Sequence, residues 1–222
     1  MDWFPLWLSL RVAATSTVFA AIIGIALAYV LAKGKFPGRG ILEAIATLPI
    51  VLPPTVLGYY LLVTLGVRSP IGRAWESAFG HTLVFTPTAA IVAASVSAMP
   101  FVLRTGRVAI EAVDPRFEQA ARTIGLSEWR VAAQVTLPLA RRGLLAGIAL
   151  GFARALGDFG VTVMLAGNIP GRTQTMPVAV YDAVQAGNNH RASTMSALLG
   201  LIALVVLVAV NRLTCATRLE QP

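Results

Sequence analysis

The sequence predicts an all-α integral membrane protein with about five transmembrane helices. Of its 222 residues, 56% are hydrophobic and only 13% are charged, and the mean hydropathy is +0.73. A soluble domain carries about 25% charged residues, so this composition excludes that class. Uncharged runs of about 20 residues, enough to cross a bilayer as a helix, recur along the chain. We expect one transmembrane domain over residues 1–222.

The predicted spans alternate with short polar segments. Trp3 and Trp7 stand at the start of the first span and suit an aromatic belt at a membrane interface. No basic region precedes this span, so we expect a membrane helix and not a removed signal peptide. Residues 68–81 are predicted to form a polar loop, and residues 176–184 a short helix. The five spans are predicted at about 9–32, 42–66, 82–103, 143–166 and 192–211.

Three prolines distinguish the second span, which is therefore predicted to be kinked. They are Pro49, Pro53 and Pro54. A proline inside a membrane helix frees backbone carbonyls, which must be satisfied by protein or by a water-filled cavity. The residues alone leave two interpretations open, a kink filled by a neighbouring helix or the wall of a polar pathway.

The fourth span combines small residues with two charges. Gly143, Gly147 and Gly151 recur at every fourth position and indicate close packing against another helix. Arg154 and Asp158 follow, one helical turn apart. Charges inside a membrane are costly and typical of functional sites. A purely structural ion pair is the equally weighted alternative.

Basic residues are concentrated on one side of the predicted membrane. If the N-terminus lies outside, twelve lysines and arginines fall on the cytoplasmic side and five fall outside. The excess of positive charge inside places the C-terminus and the basic segment 114–142 in the cytoplasm. The basic residues lie scattered between apolar runs and do not alternate with aromatic residues, so we expect no nucleic-acid binding.

The segment 114–142 is predicted to form two short amphipathic helices joined at a glycine. Asp114 is the expected N-cap of the first helix, which Gly125 ends as a left-handed C-cap. Pro138 is expected to prevent the second helix from continuing smoothly into the fourth span. Periodicity alone allows the pair to lie on the membrane surface or to dock on another protein.

Within this segment, FEQAARTIGLSEWRVAAQVTLP resembles the EAA loop of the permease subunits of ABC importers. That loop runs Glu-Ala-Ala, three residues, Gly, nine residues, Ile, any residue, Leu-Pro. Gln119 stands at the position of the glutamate and Val135 at that of the isoleucine. Glu118 could supply a carboxylate from the neighbouring position. The resemblance implies that an ATPase subunit docks on Phe117, Glu118, Gln119, Ala120, Ala121, Gly125, Leu137 and Pro138.

Two further stretches resemble the corresponding regions of molybdate permeases. They are LPIVLPPTVLGYYLL and ARALGDFGVTVMLAGNIPGRTQTMPVAVYDA, in which Asp158 takes the place of the commoner glutamate. We expect Asp158 to neutralise part of the charge of Arg154, so that a dianion is guided along the path but not trapped. The resemblance implies a translocation pathway lined by Pro53, Pro54, Thr55, Gly58, Arg154, Gly157, Asp158 and Gly160.

Together the resemblances imply a type I ABC-importer permease fold with cytoplasmic coupling helices. They imply a homodimer in the bacterial inner membrane, in contact with lipid, with a periplasmic N-terminus and a cytoplasmic C-terminus. Two ATP-binding subunits and a periplasmic molybdate-binding protein are the implied partners. The expected function is ATP-driven molybdate import, with tungstate or sulfate and thiosulfate as alternative cargoes.

The chain lacks the sequence signatures of catalysis. It contains no G-x-x-x-x-G-K-[ST] phosphate-binding loop, no H-E-x-x-H and no G-x-S-x-G. Its single cysteine, Cys215, excludes an internal disulfide. We therefore expect no enzymatic activity, metal or cofactor in this chain, and ATP and Mg on the partner subunit. A channel or secondary carrier that works alone is the alternative from another class, and it leaves the docking segment without a role.

Overall fold

A computed structural model describes residues 3–215, with side chains from residue 3 to residue 208. Every regular element in this part of the chain is helical, which confirms the all-α prediction. The predicted cytoplasmic tail from residue 216 and the side chain of Cys215 lie outside the described residues. The helices are α1 (Phe4–Lys33), α2 (Arg39–Val51), α3 (Pro54–Leu65), α4 (Pro70–Phe79), α5 (Pro87–Glu111), α6 (Pro115–Thr123), α7 (Glu128–Val131), a π turn (Ala132–Thr136), α8 (Leu137–Leu156), α9 (Gly160–Ala166), α10 (Met176–Gln185) and α11 (Asn189–Cys215).

Four helical segments within residues 3–208 are long and apolar enough to cross a membrane. They are Phe4–Lys33, Pro87–Glu111, Glu128–Leu156 and Asn189–Val208, and the bent pair α2 and α3 makes a fifth if it counts as one span. The number of spans therefore agrees with the sequence.

Helices α1, α5 and α8 pack together through small side chains. Their shared core is rich in fully buried alanines such as Ala13, Ala93 and Ala98. A Cβ atom added to Gly151 would lie 2.9 Å from Val102 Cγ2, and one added to Gly143 would overlap the Cβ of Ala109. The glycine stripe of α8 thus packs against α5, as the sequence predicts, and brings the two backbones close.

The second span is broken and not merely kinked. Helices α2 and α3 meet at an angle of 116° across Leu52 and Pro53, whereas Pro49 remains inside α2. A residue before proline is pushed out of the helical conformation. Leu52 and Pro53, each followed by a proline, both have extended backbones with ψ of 135° and 137°. Two consecutive prolines therefore separate the helices completely.

The third and fourth spans differ from their predicted bounds. The third helix begins at Pro87 and not at residue 82, because Thr86 caps it by accepting a hydrogen bond from the Ala89 amide at 3.2 Å. At the other end it continues to Glu111. The fourth helix ends at Leu156, so the predicted span 143–166 is divided between α8 and the separate helix α9.

Pro138 does not interrupt the chain as predicted. Residues Glu128–Leu156 form one continuous helical segment that contains the π turn directly before the proline. In this wider turn the Leu137 amide donates to the carbonyl of Ala132, five residues earlier. A proline ring clashes with the carbonyl four residues before it. We infer that the π turn relieves this clash and lets the helix continue.

The segment predicted as a polar loop at 68–81 contains helix α4. Ser69 caps it by accepting a hydrogen bond from the Gly72 amide at 2.8 Å. Gly80 ends it with a φ of 72°, in the left-handed region. The short helix predicted at 176–184 is confirmed as α10.

Candidate functional site

Helix α6 has the ends that the sequence predicts. At its start the carboxylate of Asp114 accepts a hydrogen bond from the Arg116 amide at 2.9 Å. At its end Gly125 has a φ of 85°, and its amide donates to the Arg122 carbonyl. The Leu126 amide reaches back to the carbonyl of Ala121. This pair of bonds is a Schellman motif, which fixes the sharp turn between α6 and α7.

The inner face of α6 carries a buried carboxylate. Glu118 is only 4% exposed, and Ala121 beside it on this face is 6% exposed. Glu118 Oε1 lies 2.8 Å from Lys33 Nζ, at the end of α1. The same oxygen accepts a hydrogen bond from Thr136 Oγ1 at 2.8 Å. This placement holds α6 to the membrane helices, so it does not favour the predicted contact of Glu118 with an ATPase subunit.

The outer face of the docking segment is apolar and exposed. Phe117 is 57% exposed, Ile124 is 78% exposed, and Trp129 on α7 is 79% exposed. Gln119 and Ala120, predicted for docking, are exposed as well. Ile124 and Trp129 were missing from the predicted docking residues, although their helical spacing was the signal that could have found them. Trp129 also borders a groove of about 640 Å³ beside α1. Large exposed apolar side chains of this kind indicate an interaction surface.

An ion pair fixes α6 relative to α7. Arg122 donates two hydrogen bonds to the carboxylate of Glu128, from Nε at 2.6 Å and from Nη2 at 3.0 Å. The hydrogen bond to Glu128 raises the pKa of Arg122 above its ordinary value. Because both side chains are exposed to solvent, the pair orients the two helices more than it stabilises the fold.

The remaining docking residues lie at the start of α8. Pro138 is exposed, Leu137 is half-buried, and both directly follow the π turn. Leu139, one residue further, is 51% exposed. Leu139 and Phe117 line a common depression of about 310 Å³ at the end of α5. The predicted docking residues are thus brought together, except that Glu118 and Ala121 face inward.

Three predicted pathway residues meet where α3 crosses α9. A Cβ atom added to Gly160 would lie 2.7 Å from Pro54 Cβ. One added to Gly58 would lie 2.6 Å from Met164 Cβ. Both glycines are buried and permit the two helices to touch. Pro53, Pro54 and Thr55 remain exposed at the break between α2 and α3.

Asp158 lies in the break between α8 and α9. Its Oδ1 atom is 2.9 Å from Arg154 Nη1, an ionic contact that lacks regular hydrogen-bond geometry. Its Oδ2 atom accepts hydrogen bonds from the Thr162 amide at 3.0 Å and from Thr162 Oγ1 at 2.7 Å. The carboxylate therefore caps the start of α9 in addition to pairing with arginine. Sequence reasoning did not identify Thr162, which lies four residues after an acidic helix start.

The pair formed by Arg154 and Asp158 is unequally exposed. The Asp158 side chain is fully buried, whereas 28% of the Arg154 side chain is exposed. For Asp158, this burial and the contacts with Thr162 favour the structural alternative. Arg154 keeps part of its side chain accessible, so it is the better candidate for contact with a passing anion.

Few of the predicted pathway residues line the groove between α8, α10 and α11. This groove of about 630 Å³ contains only Gly157 of that set, and its other lining residues include Phe159, Tyr181 and Leu199. Its lining is mainly apolar, which suits helix packing or lipid more than an oxyanion. Among the residues that the structure describes, no three His, Cys, Asp or Glu side chains gather as metal ligands would.

Known proteins resemble this chain in sequence and in fold. Residues 20–215 match the family described as binding-protein-dependent transport system inner membrane component. The molybdenum transport system permease protein ModB of Escherichia coli (strain K12) is 41% identical over 209 residues, 92% of this chain and 91% of that protein. The sulfate transport system permease protein CysT of the same strain is 32% identical over 198 residues, covering 89% and 71%. An inward-facing structure of the MetNI methionine ABC transporter contains a chain of similar fold, with a TM-score of 0.73 at 19% identity, covering 97% and 99%.

Proposed function

Because the chain belongs to the family of binding-protein-dependent transport system inner membrane components, we propose that it is the permease subunit of an ATP-driven molybdate importer. The assignment of molybdate as the cargo rests on the 41% identity to a molybdenum transport permease over most of both chains. The fold, similar to that of a chain in an ABC transporter, supports the transport class.

ATP-hydrolysing subunits dock on the segment 114–142 in this proposal. The support is the exposed apolar face of α6 and α7, formed by Phe117, Ile124 and Trp129. The sequence has no phosphate-binding loop of its own, so ATP and Mg are bound by the partner. Gln119 and Ala120 lie on the accessible side of α6 and contribute polar and small contacts.

The complex contains two copies of this chain, two ATPase subunits and a periplasmic protein that delivers the anion. Dimerisation is supported by exposed pathway residues at the bend between α2 and α3, namely Pro53, Pro54 and Thr55. A second copy related by a two-fold axis would complete the path. The N-terminus lies in the periplasm and the C-terminus in the cytoplasm, as the distribution of positive charge favours.

Transport follows from movement of the docking segment. When ATP binding brings the ATPase subunits together, α6 and α7 move with them, and the membrane helices rock between inward-open and outward-open states. Arg154 attracts the dianion at the end of α8, and Asp158 neutralises part of that charge so that the anion leaves again. This chain supplies the path, and the binding protein supplies the affinity.

Sulfate import is the second candidate within the same class. It is supported by the similarity to a sulfate permease. The identity to that protein, 32%, is lower than the identity to the molybdenum permease, and a larger share of the longer sulfate permease is left unmatched. Tungstate and thiosulfate are further cargoes of related chemistry. A channel or carrier without an ATPase is disfavoured, because it gives the exposed apolar face of α6 and α7 no partner.

Uptake of labelled molybdate tests the proposal. Cells that lack their own high-affinity system would express this chain with its ATPase subunit and binding protein, in the presence of excess sulfate. We expect uptake that resists sulfate and disappears when the phosphate-binding lysine of the ATPase is replaced. Uptake abolished by sulfate would support the sulfate alternative, and uptake without any ATPase would contradict the ABC class.

A further inference from the structure

Three polar side chains from three elements meet behind the docking segment. Lys33 ends α1, Glu118 lies on the inner face of α6, and Thr136 ends the π turn. Glu118 Oε1 is 2.8 Å from Lys33 Nζ and accepts the hydrogen bond of Thr136 Oγ1, also at 2.8 Å. Thr136 is fully buried, and 5% of the Glu118 side chain and 25% of the Lys33 side chain are exposed. We name these three residues the α6 joint.

The joint is the principal attachment of α6 to the membrane helices. Only Glu118 and Ala121 are buried on this helix. The methyl group of Ala121 offers little contact area, so the carboxylate supplies most of the specific attachment. Separating the buried Glu118 carboxylate from Lys33 and Thr136 is unfavourable, because only Arg122, on α6 itself and 3.8 Å from Glu118 Oε2, then remains as a counter-ion. The joint therefore resists opening when α6 is displaced.

Helix α1, which ends at Lys33 in the α6 joint, extends from there across the molecule. Helix α1 runs from Phe4 to Lys33, and near its start Ser9 Oγ accepts a hydrogen bond from the Met176 amide at 2.7 Å. Met176 begins α10. Lys33 follows Ser9 by 24 positions in this helix, which corresponds to about 36 Å at 1.5 Å per residue. One helix thus connects the docking segment to a second site near the opposite membrane surface.

We propose that the α6 joint transmits displacement of the docking segment to α1, and through α1 to α10. Lys33, Glu118 and Thr136 are then positioning residues for ATP-driven transport and are not contacts of the ATPase subunit. The π turn supports this role, since such turns often occur at functional sites in helices. The inference rests on the proposed function and adds how the docking movement reaches the membrane helices.

Coupling in reconstituted vesicles tests the joint. The full complex, with ATPase and binding protein, would be assayed for ATP hydrolysed and for molybdate transported. Glu118→Gln keeps the side-chain shape and an acceptor for Thr136 but removes the charge, and Lys33→Met removes the ammonium group. Lys33→Arg keeps the positive charge and is the conservative rescue. Arg39→Gln is the matched control, because it breaks a partly exposed pair with Glu111 that lies outside the docking segment.

We expect Glu118→Gln and Lys33→Met to assemble with the ATPase subunit and to hydrolyse ATP within about twofold of wild type. Molybdate transported per ATP should fall about fivefold or more in both variants. Lys33→Arg and Arg39→Gln should keep the wild-type ratio. If Glu118→Gln does not fold, Lys33→Met carries the test, because the Lys33 side chain is 25% exposed.

Two results would contradict the proposed role of the α6 joint. One is a wild-type ratio of transport to hydrolysis in both Glu118→Gln and Lys33→Met. The other is loss of ATPase binding in these variants while Arg39→Gln still binds, which would make the joint part of the docking surface. Absence of ATP-dependent uptake by the wild-type complex is a different result, because it overturns the proposed function itself.

Discussion

The carboxylate of Asp158 contacts residues of both α8 and α9. Oδ1 contacts the guanidinium of Arg154 on α8, and Oδ2 accepts two hydrogen bonds from Thr162 on α9. The sequence allowed the ionic pair to be predicted from its spacing of four residues. It did not show that α8 ends at Leu156, between Arg154 and Asp158, because glycine and phenylalanine occur in unbroken membrane helices as well.

Replacement of Thr162 tests the structural role of this carboxylate. Thr162→Val removes the hydroxyl donor and leaves a buried acceptor with one hydrogen bond fewer, so we expect a loss of about 1–3 kcal/mol of stability. Thermal unfolding of the purified chain in detergent measures the effect. Thr162→Ser keeps the hydroxyl and should remain close to wild type. Equal stability of Thr162→Val and wild type would contradict the capping role.

Replacement of Arg154 tests the transport role. In Arg154→Gln the buried Asp158 carboxylate keeps its bonds to Thr162 but loses its counter-ion, so we expect lower stability. At equal amounts of folded complex, uptake of molybdate should be reduced roughly tenfold, about 1.4 kcal/mol. Initial uptake rates measure it, with Arg191→Gln as control, since Arg191 is an exposed arginine outside the pathway. Unchanged uptake by a normally folded Arg154→Gln complex would remove Arg154 from the pathway.

At the scale of elements, α6 shows which features of a helix the sequence defines. Its caps at Asp114 and Gly125 follow from local chemistry and were predictable. Which face turns inward was not, because Glu118 is buried while Phe117 stays exposed. Ordinary patterning buries the apolar side chain. This reversed pattern is explained by Lys33, which pairs with the buried Glu118, and by the partner protein proposed to cover Phe117.

The exposed face of α6 and α7 should bind the ATPase subunit. Ile124→Ser and Trp129→Ala remove apolar area that is at least three-quarters exposed, so the fold should keep its stability. We expect each change to weaken ATPase binding by about 1 kcal/mol or more, which is at least about fivefold in Kd. Co-purification and binding titrations measure it.

A control for these variants is Ile71→Ser. Ile71 is 57% exposed on α4, on the other side of the membrane in the proposed orientation. This variant should bind the ATPase subunit as wild type does. If Ile124→Ser and Trp129→Ala also bind normally, the face lies on the membrane or remains in solvent.

Helix breaks mark the limit of what periodicity could predict. Apolar runs gave the number of spans, but the separation of α2 from α3 depends on two consecutive prolines that span the break. The continuity of Glu128–Leu156 through Pro138 depends on the π turn, for which the sequence has no clear signature. Apolar composition alone therefore predicts crossings better than it predicts their ends.

At the scale of the whole molecule, the predicted pathway positions lie in two places. They are divided between a buried crossing at Gly58 and Gly160 and an exposed bend at Pro53. No sequence feature by itself indicated that a second copy of the chain is needed. The expectation of a homodimer came from family resemblance and stays a prediction.

The prediction at this scale concerns the number of subunits in the complex. We expect the purified importer to contain two copies of this chain and two ATPase subunits, because each docking segment offers one apolar face. Native mass spectrometry of the detergent-solubilised complex measures it. Variants of the docking face should release the ATPase subunits but leave the pair of permease chains intact. A single permease chain in the complex would contradict the shared pathway.

The alanine-rich contact of α1, α5 and α8 has a practical consequence for labelling. Ala93 and Ala98 are fully buried, so a spin label or fluorophore placed there would separate the helices. On α11, Leu201, Leu204 and Val205 are each more than half exposed, so bulky probes should be tolerated there. Reporters of motion therefore belong on the periphery, where distances between them can follow the helices without disturbing their alanine-rich contact.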